Sequence, residues 1–182
     1  MDSAIHRLKT GEQVVIRTVR LEDASAVLKS MQQMAGESEF LSEGAGGYNL
    51  TLEEQATFIQ RHLDHHHAFF VVAQMEDEIV GVLTFAPGDK KRTAHWGEFG
   101  MSIRQIYWGQ GIGKKLLGLL IKWARANPHL DRIMLNVDAN NLRGRSLYQK
   151  LGFLEEGLQH KAIKFTDGRY SDNVLMAMWV GE

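Results

Sequence analysis

The segment Gly109-Gln110-Gly111-Ile112-Gly113-Lys114 joins an extended stretch to an apolar, helix-spaced one. Its glycines let the main chain turn tightly and come close to a ligand. The N–H groups of a helix's first turn have no intrahelical partner, and with the helix dipole they form an anion site. Lys114 and Lys115 add positive charge there, so a phosphate or pyrophosphate ligand follows. Two common phosphate fingerprints fail. A Walker loop would need Gly at Trp108 and Ser or Thr at Lys115, and a dinucleotide fingerprint would need Gly at Lys114. A glycine-rich turn without a ligand is the alternative. His62, His65, His66 and His67 have a spacing that puts two imidazoles on one helix face. Asp64 is the only nearby carboxylate, and late histidines suit a helix C-terminus electrostatically, so no metal is expected. Glu37, Glu39 and Glu43 would draw a cationic amine; a solvated acidic loop is the alternative reading.

These groups need elements to hold them. Residues 14–18 read as a strand. Leu21, Ala24, Val27, Leu28, Met31 and Met34 have helical spacing, with Gly36 as a stop. Thr51 and Glu54 fit a capping box, opening a helix with Leu52, Ala56, Ile59 and Leu63 on one face. Residues 68–74 and 79–86 read as a hairpin and 95–104 as a further strand. Residues 113–126 form an apolar helix and 132–137 a strand. Asn141 caps a helix over 142–151, which Gly152 ends. Two strands, 153–165 and 170–180, flank the turn signal Asp167-Gly168. The order predicts an α/β (α+β) fold. An antiparallel meander is followed by a helical crossover to a parallel strand, giving a mixed sheet of about seven strands with about four helices. The glycine-rich stretch 44–47 and the segment Pro87–Lys91 read as loops inside one domain covering residues 1–182.

The run IRQIYWGQGIG over 103–113, followed by an apolar helix, resembles motif A of the GNAT superfamily of N-acetyltransferases. Gly111 and Gly113 match the glycines of its Gln/Arg-x-x-Gly-x-Gly/Ala loop, and Trp108 stands where Gln or Arg is usual. Residues 140–153 resemble motif B, N-x-x-x-x-x-LYxKLGF, and Asp167 to Met176 resemble the DGxYxDxxxM ending of a subgroup. That subgroup modifies ribosomal-protein N-termini or small amines. The resemblance covers nearly the whole chain and is strongest over 95–180.

The resemblance implies that acetyl-CoA lies in a splay between the fourth and fifth strands, 95–104 and 132–137. The pantetheine arm would pair with the main chain of Met101, Ser102 and Ile103. The pyrophosphate would sit on the N–H groups of Gln110, Gly111, Ile112, Gly113, Lys114 and Lys115. Asn141 and Arg145 would lie near the arm or its phosphates, although a satisfied helix cap explains Asn141 equally well. Tyr148 is the implied acid. A phenol with a pKa of about 10 is protonated at neutral pH and can donate to a departing thiolate; the alternative is a tyrosine that packs its helix. Glu98 is the candidate base, on one strand face with Trp96, Gly100 and Ser102. Apolar neighbours would raise its pKa; the alternative is a strand-edge charge facing solvent.

Composition narrows the field. The 182 residues carry 21 Lys+Arg against 22 Asp+Glu, a net charge of −1, which excludes a strong electrostatic footprint for nucleic acid or anionic membrane. With 0 Cys there is no disulfide scaffold, thiolate metal site or cysteine nucleophile. The start has no apolar signal region and no stretch is long enough for a membrane span, so a cytoplasmic location is expected. The expected activity is acetyl transfer from acetyl-CoA to a small-molecule amine, such as a polyamine-like or amino-acid-like one, or to a protein N-terminus. No metal is expected, and a homodimer is the ordinary symmetry prior. The alternatives are a non-catalytic acyl-CoA-binding or regulatory module on the same fold and a nucleotide-binding domain, which the failed fingerprints disfavour.

Overall fold

The computed structural model describes residues 4–41, 44 and 46–181. Eight strands and four helices occur in the order β1 (Ala4–Arg7), β2 (Gln13–Thr18), α1 (Ala24–Glu37), α2 (Leu52–Asp64), β3 (Phe69–Met75), β4 (Glu78–Pro87), β5 (Trp96–Ile103), α3 (Ile112–Arg125), β6 (Arg132–Asp138), α4 (Leu142–Lys150), β7 (Leu154–Lys164) and β8 (Tyr170–Trp179). The chain divides into two compact units, Met1–Ala86 with Gly100–Leu120, and Pro87–Phe99 with Ile121–Glu182.

In the first unit β1, β2, β3 and β4 follow one another, and the second half of β5 continues beside β4, with Arg104 N–H donating to the Val80 carbonyl at 2.9 Å. The β1–β2, β2–β3 and β3–β4 ladders are antiparallel. β3 is buried at nearly every position, as its run of aromatic and β-branched residues requires of an interior strand. Val27 and Met34 of α1, Ile59 of α2 and Phe70 and Val72 of β3 share one core cluster. In the second unit the first half of β5 pairs in parallel with β6, Trp96–Glu98 against Arg132–Met134. β6 and β7 both pair antiparallel with β8.

The mixed sheet expected from the sequence is present, with eight strands rather than seven. The added one is β1, which the polar start conceals: Ile5 is exposed and the four residues are held by their ladder with β2. Gly36 does not stop its helix, which runs on to Glu37. Its neighbours Met34 and Ala35 are buried, and that burial outweighs the modest helix cost of one glycine. The capping box opens α2 as expected, with Thr51 Oγ1 accepting from Glu54 N–H at 3.2 Å. The apolar stripe of α2 is narrower than expected. Ile59 is buried, but Leu52 and Leu63 are exposed. The buried Gln55 takes a place on the inner face, where its amide oxygen accepts from the Tyr48 hydroxyl at 2.7 Å. No helix among the described residues is long and apolar enough to cross a membrane.

Candidate active site

In the first unit, β5 ends at Ile103 and a short 3-10 turn, Gln105–Tyr107, leads into the glycine loop. Gly109 and Gly111 have φ of +77° and +96°, and nothing lies within 4 Å of where a Cβ would stand on either. Left-handed backbone with open space above it is what close approach of a ligand to the main chain needs. α3 begins directly afterwards. Lys115 N–H donates to the Gly111 carbonyl at 3.2 Å, so Gly111 caps the helix. The N–H groups of Ile112, Gly113 and Lys114 are the first-turn donors that helix geometry leaves over.

This corrects the expectation for Lys115. Its N–H is spent on the helix, and its ammonium lies 3.3 Å from His6 Nδ1 on β1. Burial, then the Lys115 charge, lowers the pKa of His6. The Gln110 side chain accepts from the Thr10 hydroxyl at 2.9 Å. Trp108, which departs from the family's usual Gln or Arg, ties the loop back on itself, its indole N–H donating to the Ile103 carbonyl at 2.7 Å. Met101, Ser102 and Ile103 are half-buried in the second half of β5, and one lone pair of the Ile103 carbonyl is thus already used.

In the second unit, Tyr148 lies on α4 with 7% of its surface exposed. Its ring meets Phe99 edge-on at 5.8 Å and Phe153 at 6.1 Å between centroids. Burial pushes its phenol up to about 12. Its hydroxyl is not among the fully buried polar atoms left without a partner, so the ring is buried while the oxygen reaches the edge of the packing. Glu98 is the residue before Phe99 on β5, so the two side chains leave opposite faces of the strand. Phe99 is buried and Glu98 exposed. Glu98 therefore lacks the apolar surround expected of it; instead it accepts from Asn136 Nδ2 at 2.7 Å.

Asn141 is the N-cap of α4, its Oδ1 accepting from Gly144 N–H at 2.9 Å. Gly152 closes the helix at φ +98°. Arg145 donates to Glu155 at 2.8 Å and to the Ala139 carbonyl at 2.9 Å, so its charge is already matched within its own unit. In the histidine tract His62 turns away from the other rings, while His65 and His67 meet edge-on at 6.1 Å between centroids. His62 packs against Phe58 and Phe70, at 4.4 and 5.4 Å between centroids, and its pKa is lowered by burial. His65 Nδ1 accepts from the His67 N–H. Of the acidic stretch, Glu43 lies outside the described residues. Glu37 is not a free carboxylate, since it is bound to Arg104 at 2.6 Å.

The model of the acetyltransferase (GNAT) family matches residues 29–153. The chain belongs to this family. An acetyltransferase of the GNAT family from Streptococcus pneumoniae has a solved structure 30% identical, with a TM-score of 0.88, covering 91% of this chain and 99% of that one. The yncA protein of Salmonella typhimurium, a putative acetyltransferase solved with its cofactor acetyl-CoA, is 16% identical, with a TM-score of 0.81 over 93% and 95% of the two chains. The [Ribosomal protein uS5]-alanine N-acetyltransferase of Escherichia coli is 34% identical over 103 residues, which span 57% of this chain and 52% of that protein.

As a GNAT acetyltransferase the chain carries both expected parts, the glycine loop at a helix start and a motif-B tyrosine on α4. Asn136, Thr10 and His6 are the neighbours that sequence reading missed, and Glu37, read there as an acid that draws an amine, is bound to Arg104 instead. Asn136 had a signal available: it is the polar member of RIMLNV and pairs with a strand already assigned. Thr10 and His6 belong to the concealed hairpin, and Glu37 reaches Arg104 across 67 positions.

Proposed function

We propose that this GNAT protein transfers the acetyl group of acetyl-CoA directly to a primary amine bound at the same time. The pyrophosphate rests on the first-turn N–H groups of Ile112, Gly113 and Lys114, with Gln110 and Gly111 shaping the approach. Main-chain groups of Met101 and Ser102 take the pantetheine amides. The residues fit such a substrate: the loop glycines leave room for it and the first-turn donors have no intrahelical partner. The thioester supplies an activated acetyl carbonyl and a thiolate leaving group.

Transfer requires the attacking ammonium to lose a proton and the thiolate to be stabilised. Glu98 receives the amine proton, directly or through one water, with Asn136 Nδ2 fixing its carboxylate. Tyr148 holds its proton through the whole physiological range, because burial raises its pKa, and donates to the departing sulfur. The Tyr148 phenol, its ring buried against Phe99 and Phe153 and its proton held by burial, is the observation that carries this reading.

The acceptor is a small-molecule amine or a protein N-terminus. The E. coli relative named for an alanine of ribosomal protein uS5 supports the second class. Titration of acetyl-CoA, ATP and NAD with melting temperature as readout tests the donor. Acetyl-CoA alone raises the melting temperature in a concentration-dependent way, as a native-state ligand must; no shift with acetyl-CoA overturns the proposal.

A further inference from the structure

Glu37 breaks a local rule. It is the last residue of α1, where a carboxylate opposes the negative end of the helix dipole, and no basic residue of that last turn offsets it. Departures of this kind cluster where a residue is needed for something outside its own element. Both of its oxygens are committed to the start of the glycine-loop segment. One accepts from Arg104 Nε at 2.6 Å and the other from the Gln105 N–H at 2.7 Å. Arg104 is where β5 leaves its pairing with β4, and Gln105 opens the 3-10 turn that leads to Gly109. Gln33 of α1 adds a contact to Arg104 at 3.1 Å, and Glu78 of β4 pairs with it as well. Beyond this turn the chain passes through the positive-φ Gly109 and Gly111, with the Trp108 and Gln110 side chains as anchors, and its path into α3 starts from this entrance.

We propose that Glu37 is a positioning residue for the phosphate-binding loop. It holds the Arg104–Gln105 peptide so that the loop meets the pyrophosphate with its N–H groups already aimed. The inference rests on the acetyl-CoA reading above. Glu78 supplies the comparison, since it pairs with the same guanidinium but makes no contact with the loop's main chain among the hydrogen bonds of the described residues, and half of its side chain is exposed.

Glu37→Gln keeps the shape but leaves one oxygen for two donors, so either Arg104 or Gln105 loses its partner. The experiment measures thiol release by the full chain with acetyl-CoA and with S-acetylpantetheine, a donor without the pyrophosphate. E37Q raises KM for acetyl-CoA about tenfold, as loss of a hydrogen bond to a charged group implies, while kcat stays within about twofold. Its use of S-acetylpantetheine matches the wild type. E78Q leaves the KM for acetyl-CoA within about twofold of wild type. An unchanged KM in E37Q, an equal rise in E78Q, or an equal loss with both donors overturns the assignment, and melting temperatures of the variants separate these outcomes from misfolding. Failure of the wild type to use acetyl-CoA at all overturns the reading on which it rests, and the assignment with it.

Discussion

The first unit presents main-chain N–H groups at the start of α3, and the second presents side chains around Tyr148 and Glu98. Around Gly109 and Gly111 the groups on offer are N–H donors whose directions follow from φ and from where α3 begins. Around Tyr148 and Glu98 the proposed groups are a phenol and a carboxylate, set by an aromatic cluster and by Asn136. A main-chain site tolerates changes of side-chain identity but not of backbone conformation. A side-chain site fails at the loss of a single oxygen even when its fold is untouched.

That contrast orders the variants. Tyr148→Phe removes one hydroxyl and keeps the ring packing. It lowers kcat about hundredfold, the scale of positioned proton donation, and leaves the KM for acetyl-CoA within about twofold; equal losses in both would count against the acid role. The same variant has a stability signature. The unfolded phenol ionises near 10 and the folded one near 12. The folded state thus keeps a proton that the unfolded state releases, and stability falls as pH rises from 10 to 12, by about 2–3 kcal/mol. Chemical denaturation across that window shows the decline in the wild type and a shallower one in Y148F.

Gly111→Val acts on the other kind of site. A β-branched residue at φ +96° is strained, by about 1–2 kcal/mol or more, so the loop moves and the KM for acetyl-CoA rises about tenfold to thirtyfold. Here kcat at saturation is the less affected quantity, the reverse of Y148F. Glu98→Gln lowers kcat/KM about tenfold; an unchanged kcat/KM assigns the base to another group. Lys114→Ala is the smallest change. Lys114 is exposed and offers its N–H, which alanine keeps, so the KM for acetyl-CoA rises no more than about twofold. A tenfold rise would make the loop a side-chain site after all.

The parts legible in the sequence are those whose signals are local. The Thr51–Glu54 capping box, the Asn141 cap and the Gly152 stop each act within a few residues, and each stands where its spacing places it. β3, β4 and β6 follow from composition because they are buried. What was not legible depends on partners distant in sequence. β1 is four residues long with its one large apolar side chain, Ile5, exposed, and it exists through its ladder with β2. Gly36 reads as a terminator until Met34 and Ala35 are seen to be buried. Glu98 reads as a carboxylate among apolar neighbours until alternation puts the buried neighbours on the far face. Glu37 reads as one acid in an acidic run until Arg104 and Gln105 are found on its two oxygens.

The central claim is catalysis, with the glycine loop and Tyr148 serving one reaction. It is tested most directly by following thiol release from acetyl-CoA, together with the mass of the acceptor, across a panel of polyamines, amino acids and peptides with free N-termini. The account predicts release matched by one acetyl added to at least one class of amine, and loss of that release in Y148F. An acetyl-CoA complex that binds its ligand yet releases no thiol above buffer hydrolysis with any amine would contradict it and leave the chain an acyl-CoA-binding module.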